Sequence, residues 1–210
     1  MRFAHLMTSV VITAMFVGCN DNPFPDERVE YAITFVIDRS SSYDDYLASS
    51  AYEHVARVKQ ELFQDLGGRD STILVSQING QAETVLFEGS PQTFEERFPT
   101  KDAFLTFVKQ SPTGSSPVFQ ALADTLERLC RRHEQNRGMR SIVLVYSDME
   151  DNHGGKDRFD AALRRISQFP TAIGIYGAAE GWQSYLHQCG VRTAVAYDRA
   201  RVDPPLPQIP

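Results

Sequence analysis

Three short stretches constrain this chain more than anything else in it: YAITFVI at 31–37, SIVLVY at 141–146 and TAIGIY at 171–176. Each is an almost unbroken apolar run, rich in β-branched and aromatic residues. None shows the in–out alternation of a strand with one wet face. Strands of this kind are stable only when both faces are covered, and the cover is written between them. Residues 44–65 place Leu47, Ala51, Val55, Val58 and Leu62 on one helical face. SPVFQALADTLERLCRRHEQ aligns Val118, Ala121, Leu122, Thr125 and Leu129, and DRFDAALRRISQF aligns Phe159, Ala162, Leu163 and Ile166. Strands alternating with helices predict a three-layer α/β/α sandwich around a mostly parallel central sheet.

The rest of the chain fills in that plan. STILVSQI and ETVLFEG read as two strands joined through the turn signal Asn79-Gly80. Gly67-Gly68 stops the first helix, TKDAFLTFVKQ and GWQSYLHQC read as short helices, and RTAVAYD is a last strand. The tail DPPLPQIP is expected to be extended and unpacked, because proline favours solvated extended backbone. The 210 residues, 42% of them hydrophobic, suit one globular domain. A formal charge of −6 with dispersed Lys and Arg argues against a nucleic-acid partner.

The N-terminus, MRFAHLMTSVVITAMFVGCN, has a positive start at Arg2, a short apolar core from Leu6 to Val17, and then Gly18-Cys19. That is the layout of a secretory signal. A cysteine directly after a small residue resembles the lipobox of bacterial lipoproteins, with Phe16 where such boxes usually carry an aliphatic residue. The resemblance implies a signal at 1–18, lipidation of Cys19, a short tether at 19–29, the domain at 30–198 and the proline-rich tail at 199–210. It also implies a lipid-anchored protein on the periplasmic side of the envelope. Asn20 in place of Asp points to the outer membrane. Cys130 and Cys189 remain, and both a disulfide and two free buried thiols are compatible with their positions. The histidines lack metal-binding spacing, so zinc is not expected.

Two of the apolar runs lead into aspartate, at Asp38 and at Ser147-Asp148. Parallel pairing would bring both carboxylates to the rim where α/β folds collect function. Ser40 and Ser42 follow Asp38 at i+2 and i+4, and the loop SPTGSSP before the long helix offers Thr113 or Ser116. These are hard oxygen donors, suited to Mg²⁺, Mn²⁺ or Ca²⁺. Each also has a plain structural use. Ser116 before Pro117 reads as a helix N-cap followed by proline at the first helical position. Glu150, Asp151 and His153 read as a solvated rim, since DMEDNHGGKD lacks the glycine and glutamate of a calcium loop.

Asp38-Arg39-Ser40-Ser41-Ser42 matches the DxSxS motif of the von Willebrand factor type A (vWA) domain. Gly114-Ser115-Ser116-Pro117 before VFQAL resembles that family's Gly-Gly-Thr-Pro loop, with Ser116 in the threonine's place and Thr113 a competing candidate. IVLVYSDMEDN resembles its later strand ending in aspartate, with Met149 where many members have glycine. The resemblance spans about residues 30–198 and implies a Rossmann-like fold and a metal-ion-dependent adhesion site. In that site Ser40, Ser42 and Ser116 are ligands, and Asp38 and Asp148 stand close by, often through water. It further implies a non-enzymatic binding module whose ion is completed by an Asp or Glu of a protein partner. The alternative is a metal-dependent phosphoester hydrolase using the strand-end aspartates. Against it, the chain lacks DxD, GxxxxGK[ST] and GxSxG motifs.

Overall fold

All three doubly apolar runs lie inside one sheet. The computed structural model describes residues 30–39, 45–60, 71–79, 82–109, 117–150, 153–179, 181–198 and 205–208. The elements are β1 (Tyr31–Asp38), α1 (Asp45–Lys59), β2 (Thr72–Asn79), β3 (Ala82–Gly89), α2 (Pro91–Arg97), α3 (Lys101–Lys109), α4 (Val118–Gln135), β4 (Arg140–Tyr146), α5 (Lys156–Ile166), β5 (Thr171–Tyr176), α6 (Trp182–Gln188) and β6 (Thr193–Tyr197). Strand order is β3-β2-β1-β4-β5-β6, and every neighbouring pair is parallel except β2–β3. The runs at 31–37, 141–146 and 171–176 are thus β1, β4 and β5, side by side. This is the α/β/α sandwich with a mostly parallel sheet that the sequence predicts.

Alternation within each central strand divides the core in two. Ile33, Phe35 and Ile37 of β1, with Ile142, Leu144 and Tyr146 of β4, pack against α1, α2 and α3. Ala32 and Val36, with Val143 and Val145, pack against α4, α5 and α6. Fully burying an Ile, Leu or Phe stabilises by roughly 1.5–3 kcal/mol, so either face left bare would be costly. The expected helix stripes are the buried ones: Val118, Ala121, Leu122, Thr125 and Leu129 on α4, and Phe159, Ala162, Leu163 and Ile166 on α5. On α1, Ala51, Val55 and Val58 are buried, while the side chains of Leu47 and Leu62 lie outside the described residues.

The structure corrects the sequence reading in several places. The segment Pro91–Arg97, to which the sequence reading assigns no element, is helix α2. The first helix is described from Asp45 to Lys59, and its expected Gly67-Gly68 stop lies outside the described residues. Pro117 is itself the N-cap residue of α4, with φ −77° and ψ 67°, so it does not occupy the first helical position behind a Ser116 cap. The tail is packed where it is described: Leu206 lies against the β-sheet core and Pro207 is buried. Tyr176 donates its hydroxyl proton to the carbonyl of Pro205 at 3.2 Å. Leu206 joins the same apolar cluster as Tyr176 of β5 and Tyr197 of β6, and proline does not prevent such burial. Cys130 and Cys189 are both free and buried. Among the described residues no helix is long and apolar enough to cross a membrane.

Candidate functional site

Asp38 is the last residue of β1 and is only 2% exposed. The parallel register sets Ile37 opposite Tyr146, so the next step brings Asp38 level with Ser147. Asp148 therefore stands one residue beyond that level, in the loop, because β4 ends at Tyr146 and not at the aspartate. Ser147 is fully buried and donates its hydroxyl to Oδ2 of Asp38 at 2.8 Å. Its Oγ accepts from the amide of Met149 at 2.9 Å, and its own amide donates to the carbonyl of Tyr176 at 3.0 Å. Oδ1 of Asp148, which is half-buried, accepts the amide of Glu150 at 3.0 Å. Such a side-chain turn fixes the direction of a carboxylate relative to its own backbone.

The loop then folds back on the first turn of α4. A Cβ at Gly155, where φ is +89°, would sit 3.4 Å from the amide nitrogen of Gln120. The segment after Asp148 and the start of α4 thus touch. Ser40, Ser42, Thr113, Ser116, Asp151 and Cys19 lie outside the described residues. Glu150 and His153 are exposed, as a solvated rim requires.

Three basic residues near the rim make defined contacts. Arg39 is buried and its guanidinium donates to the carbonyl of Val108 at the end of α3, where the helix dipole favours a cation. Arg158 holds Glu127 of α4 through two bonds, at 2.9 and 2.7 Å, and lies 2.7 Å from Asp124. Lys156 contacts Asp160 at 3.2 Å and reaches Tyr185.

Sequence reasoning missed what lies directly beneath the rim. Tyr146 and Tyr176 stack with ring centroids 5.2 Å apart, and His54 of α1 meets the Tyr146 hydroxyl at 2.7 Å through Nδ1. Burial pushes both phenols above their ordinary value, so they remain neutral hydrogen-bonding groups. One signal was available: β4, β5 and β6 each end in tyrosine, and the register pairs Tyr146 with Tyr176 and Tyr176 with Tyr197.

The described oxygen donors at this rim, Asp38 and Asp148, are hard ligands, of the class that suits Mg²⁺, Mn²⁺ or Ca²⁺. Among the described residues no group of three or more His, Cys, Asp or Glu could hold a metal. A His or Cys cage therefore does not describe the site. An ion held by few carboxylates takes its remaining ligands from hydroxyls and water.

The order of strands, the single antiparallel edge and the loop positions make this the fold of von Willebrand factor type A domains. The SpRpn10 VWA domain superposes with a TM-score of 0.51 and 12% identity, covering 82% of this chain and 90% of that one. The N-terminal domain of TFIIH p34 does so with a TM-score of 0.54 and 12% identity, covering 83% of this chain and 93% of that one. The ArnB paralog VWA2 from Sulfolobus acidocaldarius gives a TM-score of 0.51 and 14% identity, over 81% of this chain and 41% of that one. No protein-family model and no curated protein matches the sequence.

Proposed function

We propose that this chain is a vWA-type binding module, tethered to the bacterial envelope through Cys19, that grips a protein partner through a divalent cation. Asp38, Ser40, Ser42, Ser116 and Asp148 would hold Mg²⁺, with Mn²⁺ or Ca²⁺ as substitutes. The observation that carries this reading is the placement of Asp38, at the end of β1, and Asp148, just past the end of the adjacent parallel strand β4, at one rim. When bound, such an ion supplies an electrophilic, directional site for one outside oxygen ligand. The chain's own part is to bring two carboxylates to one rim and to keep that rim acidic. Exposed Glu150 beside the site disfavours indiscriminate acidic surfaces and selects an Asp or Glu flanked by basic groups. A lipid tether would keep that face among envelope proteins, so modest affinity suffices. The hydrolase alternative gains no support from the buried histidines, since His54 is bonded to Tyr146 and His133 to Ser141.

The test is capture from envelope extract with Mg²⁺ or with chelator, alongside direct Mn²⁺ titration. Asp38→Ala and Asp148→Ala should each abolish cation binding and metal-dependent capture while leaving the fold intact. Ser116→Ala should weaken binding and Thr113→Val should do little. Capture indifferent to metal and to both aspartates would remove the mechanism. The opposite ranking of the two hydroxyl variants would move the ligand to Thr113.

A further inference from the structure

We infer that Ser147 is the positioning residue of this rim: its hydroxyl ties Asp38 to the turn that carries Asp148, so that the two carboxylates are held as one unit. The inference rests on the cation reading above and deepens it. Chemistry fixes the direction of both bonds. The Met149 amide can only donate, so Oγ of Ser147 accepts it at 2.9 Å. The hydroxyl has a single proton, and that proton goes to Oδ2 of Asp38 at 2.8 Å. Ser147 is 0% and Asp38 2% exposed, so water competes poorly for either bond. The backbone of Ser147 is held in turn by its amide bond to Tyr176 at 3.0 Å.

The accepted amide also braces an unusual turn. Met149 has φ 61°, the left-handed region that costs an L-residue free energy. Asp148 lies between the two bonded residues, so the direction of its carboxylate follows that turn. Removing the hydroxyl would strip a partner from Asp38 and from the Met149 amide together, and would release the turn. Groups that orient metal ligands from behind typically change metal affinity by about 10–100-fold when removed.

Mn²⁺ titration followed by electron paramagnetic resonance, on the whole chain, tests this. The variants are Ser147→Ala, Ser147→Cys, and Leu163→Ala as a stability control, because Leu163 is fully buried on α5 and has no part in the rim. Ser147→Ala should lose about 10–100-fold in Mn²⁺ affinity. Ser147→Cys, which keeps the shape with a weaker donor, should fall between it and the wild type, and Leu163→Ala should bind like the wild type. In metal-free protein the Met149 amide should exchange faster in Ser147→Ala than in Leu163→Ala. Wild-type affinity in Ser147→Ala overturns the inference and leaves the cation reading standing. Equal losses in Ser147→Ala and Leu163→Ala also overturn it, as an effect of stability alone. Absence of Mn²⁺ binding by the wild type overturns the cation reading and this inference with it. If Ser147→Ala does not fold, Ser147→Cys against Leu163→Ala carries the same outcomes.

Discussion

Met149 shows how one residue can satisfy two demands that usually need different side chains. At this position many vWA sequences have glycine, and the backbone here explains why: φ is 61°, the only positive value at a non-glycine among the described residues. The chain nevertheless keeps a side chain, and that side chain is buried in the core formed with α4 and α5. Burial of the thioether and the bond to Ser147 offset the conformational cost. His133 makes a different bargain at the opposite end of the sheet. Its Nε2 meets Ser141 at 2.9 Å, Ser141 meets Thr171 at 2.8 Å, and its ring lies flat on Phe169 at 4.7 Å. Burial, with the neighbouring Arg132 charge adding to it, pushes the imidazole from its ordinary 6.5 down to about 4. The folded protein therefore refuses a proton that the unfolded chain accepts. Stability from this residue is complete above pH 6.5 and is lost as pH falls towards 4, by an amount on the order of 3 kcal/mol. Urea unfolding at a series of pH values should show that slope in the wild type. The slope should flatten between those limits in His133→Gln, even though that variant is less stable at neutral pH. An unchanged slope would mean that His133 is not the group responsible.

Elements that are too short to repeat a period escape a reading of periodicity. Helix α2 has seven residues and one buried apolar side chain, Phe94. Its signal is chemical: Ser90 caps it by accepting the Thr93 amide at 3.1 Å, and Pro91 follows at the start. Phe94 then joins Phe87, Phe98 and Phe104 at centroid distances of 5.4, 4.9 and 5.8 Å, so this small helix closes one end of the core. The segment at 205–208 is another such element. A tyrosine hydroxyl bonded to Pro205, a half-buried Leu206 and a buried Pro207 make it part of the domain. Ending the chain after residue 204 should lower unfolding free energy by roughly 1–3 kcal/mol, from one hydrogen bond and the lost apolar contacts. Equilibrium denaturation of the truncated chain measures this, and an unchanged midpoint would show that the contact contributes nothing in solution.

At the level of the molecule, the sheet is a wall between two separate cores, and the candidate rim lies at one end of it. The free thiols sit in the core on the α4 side, and burial pushes the Cys130 thiol above its ordinary value, so it is a packing residue and not a reactive one. The opposite edge of the domain is where the chain arrives from its N-terminal segment. There Glu30 is held by Arg132 at 3.0 Å and Asn136 at 2.6 Å, which anchors the start of β1 against α4. Because β1 is parallel to its neighbours and carries Asp38 at its far end, the arriving segment and the candidate rim lie at opposite ends of the sheet. A membrane tether at Cys19 would then present the rim away from the bilayer. Cys19→Ala should move the protein out of the membrane fraction or block its processing, and a labelled fatty acid should be incorporated only when Cys19 is present. Failure of the wild-type protein to incorporate the label would remove the lipid anchor while leaving the rim untouched.

The fold class was legible, as was the position of Asp38 at one strand end and of Asp148 just past another, because these depend on local rules. An unbroken apolar run needs cover on both faces, a helical stripe supplies it, and parallel strands deliver their ends to one rim. Asp38 and Asp148 follow from that logic without any knowledge of contacts. Residues whose importance depends on pairs distant in the chain were not legible. Ser147 reads as a small residue at a strand end until the register sets it beside Asp38, 109 positions away. His54 reads as one polar residue on an amphipathic helix until it meets Tyr146, 92 positions away. The fate of Cys130 and Cys189 and the packing of the tail belong to the same class. Period and spacing report which face a side chain occupies, whereas a hydrogen-bond partner across the core is selected only when the whole sheet has closed.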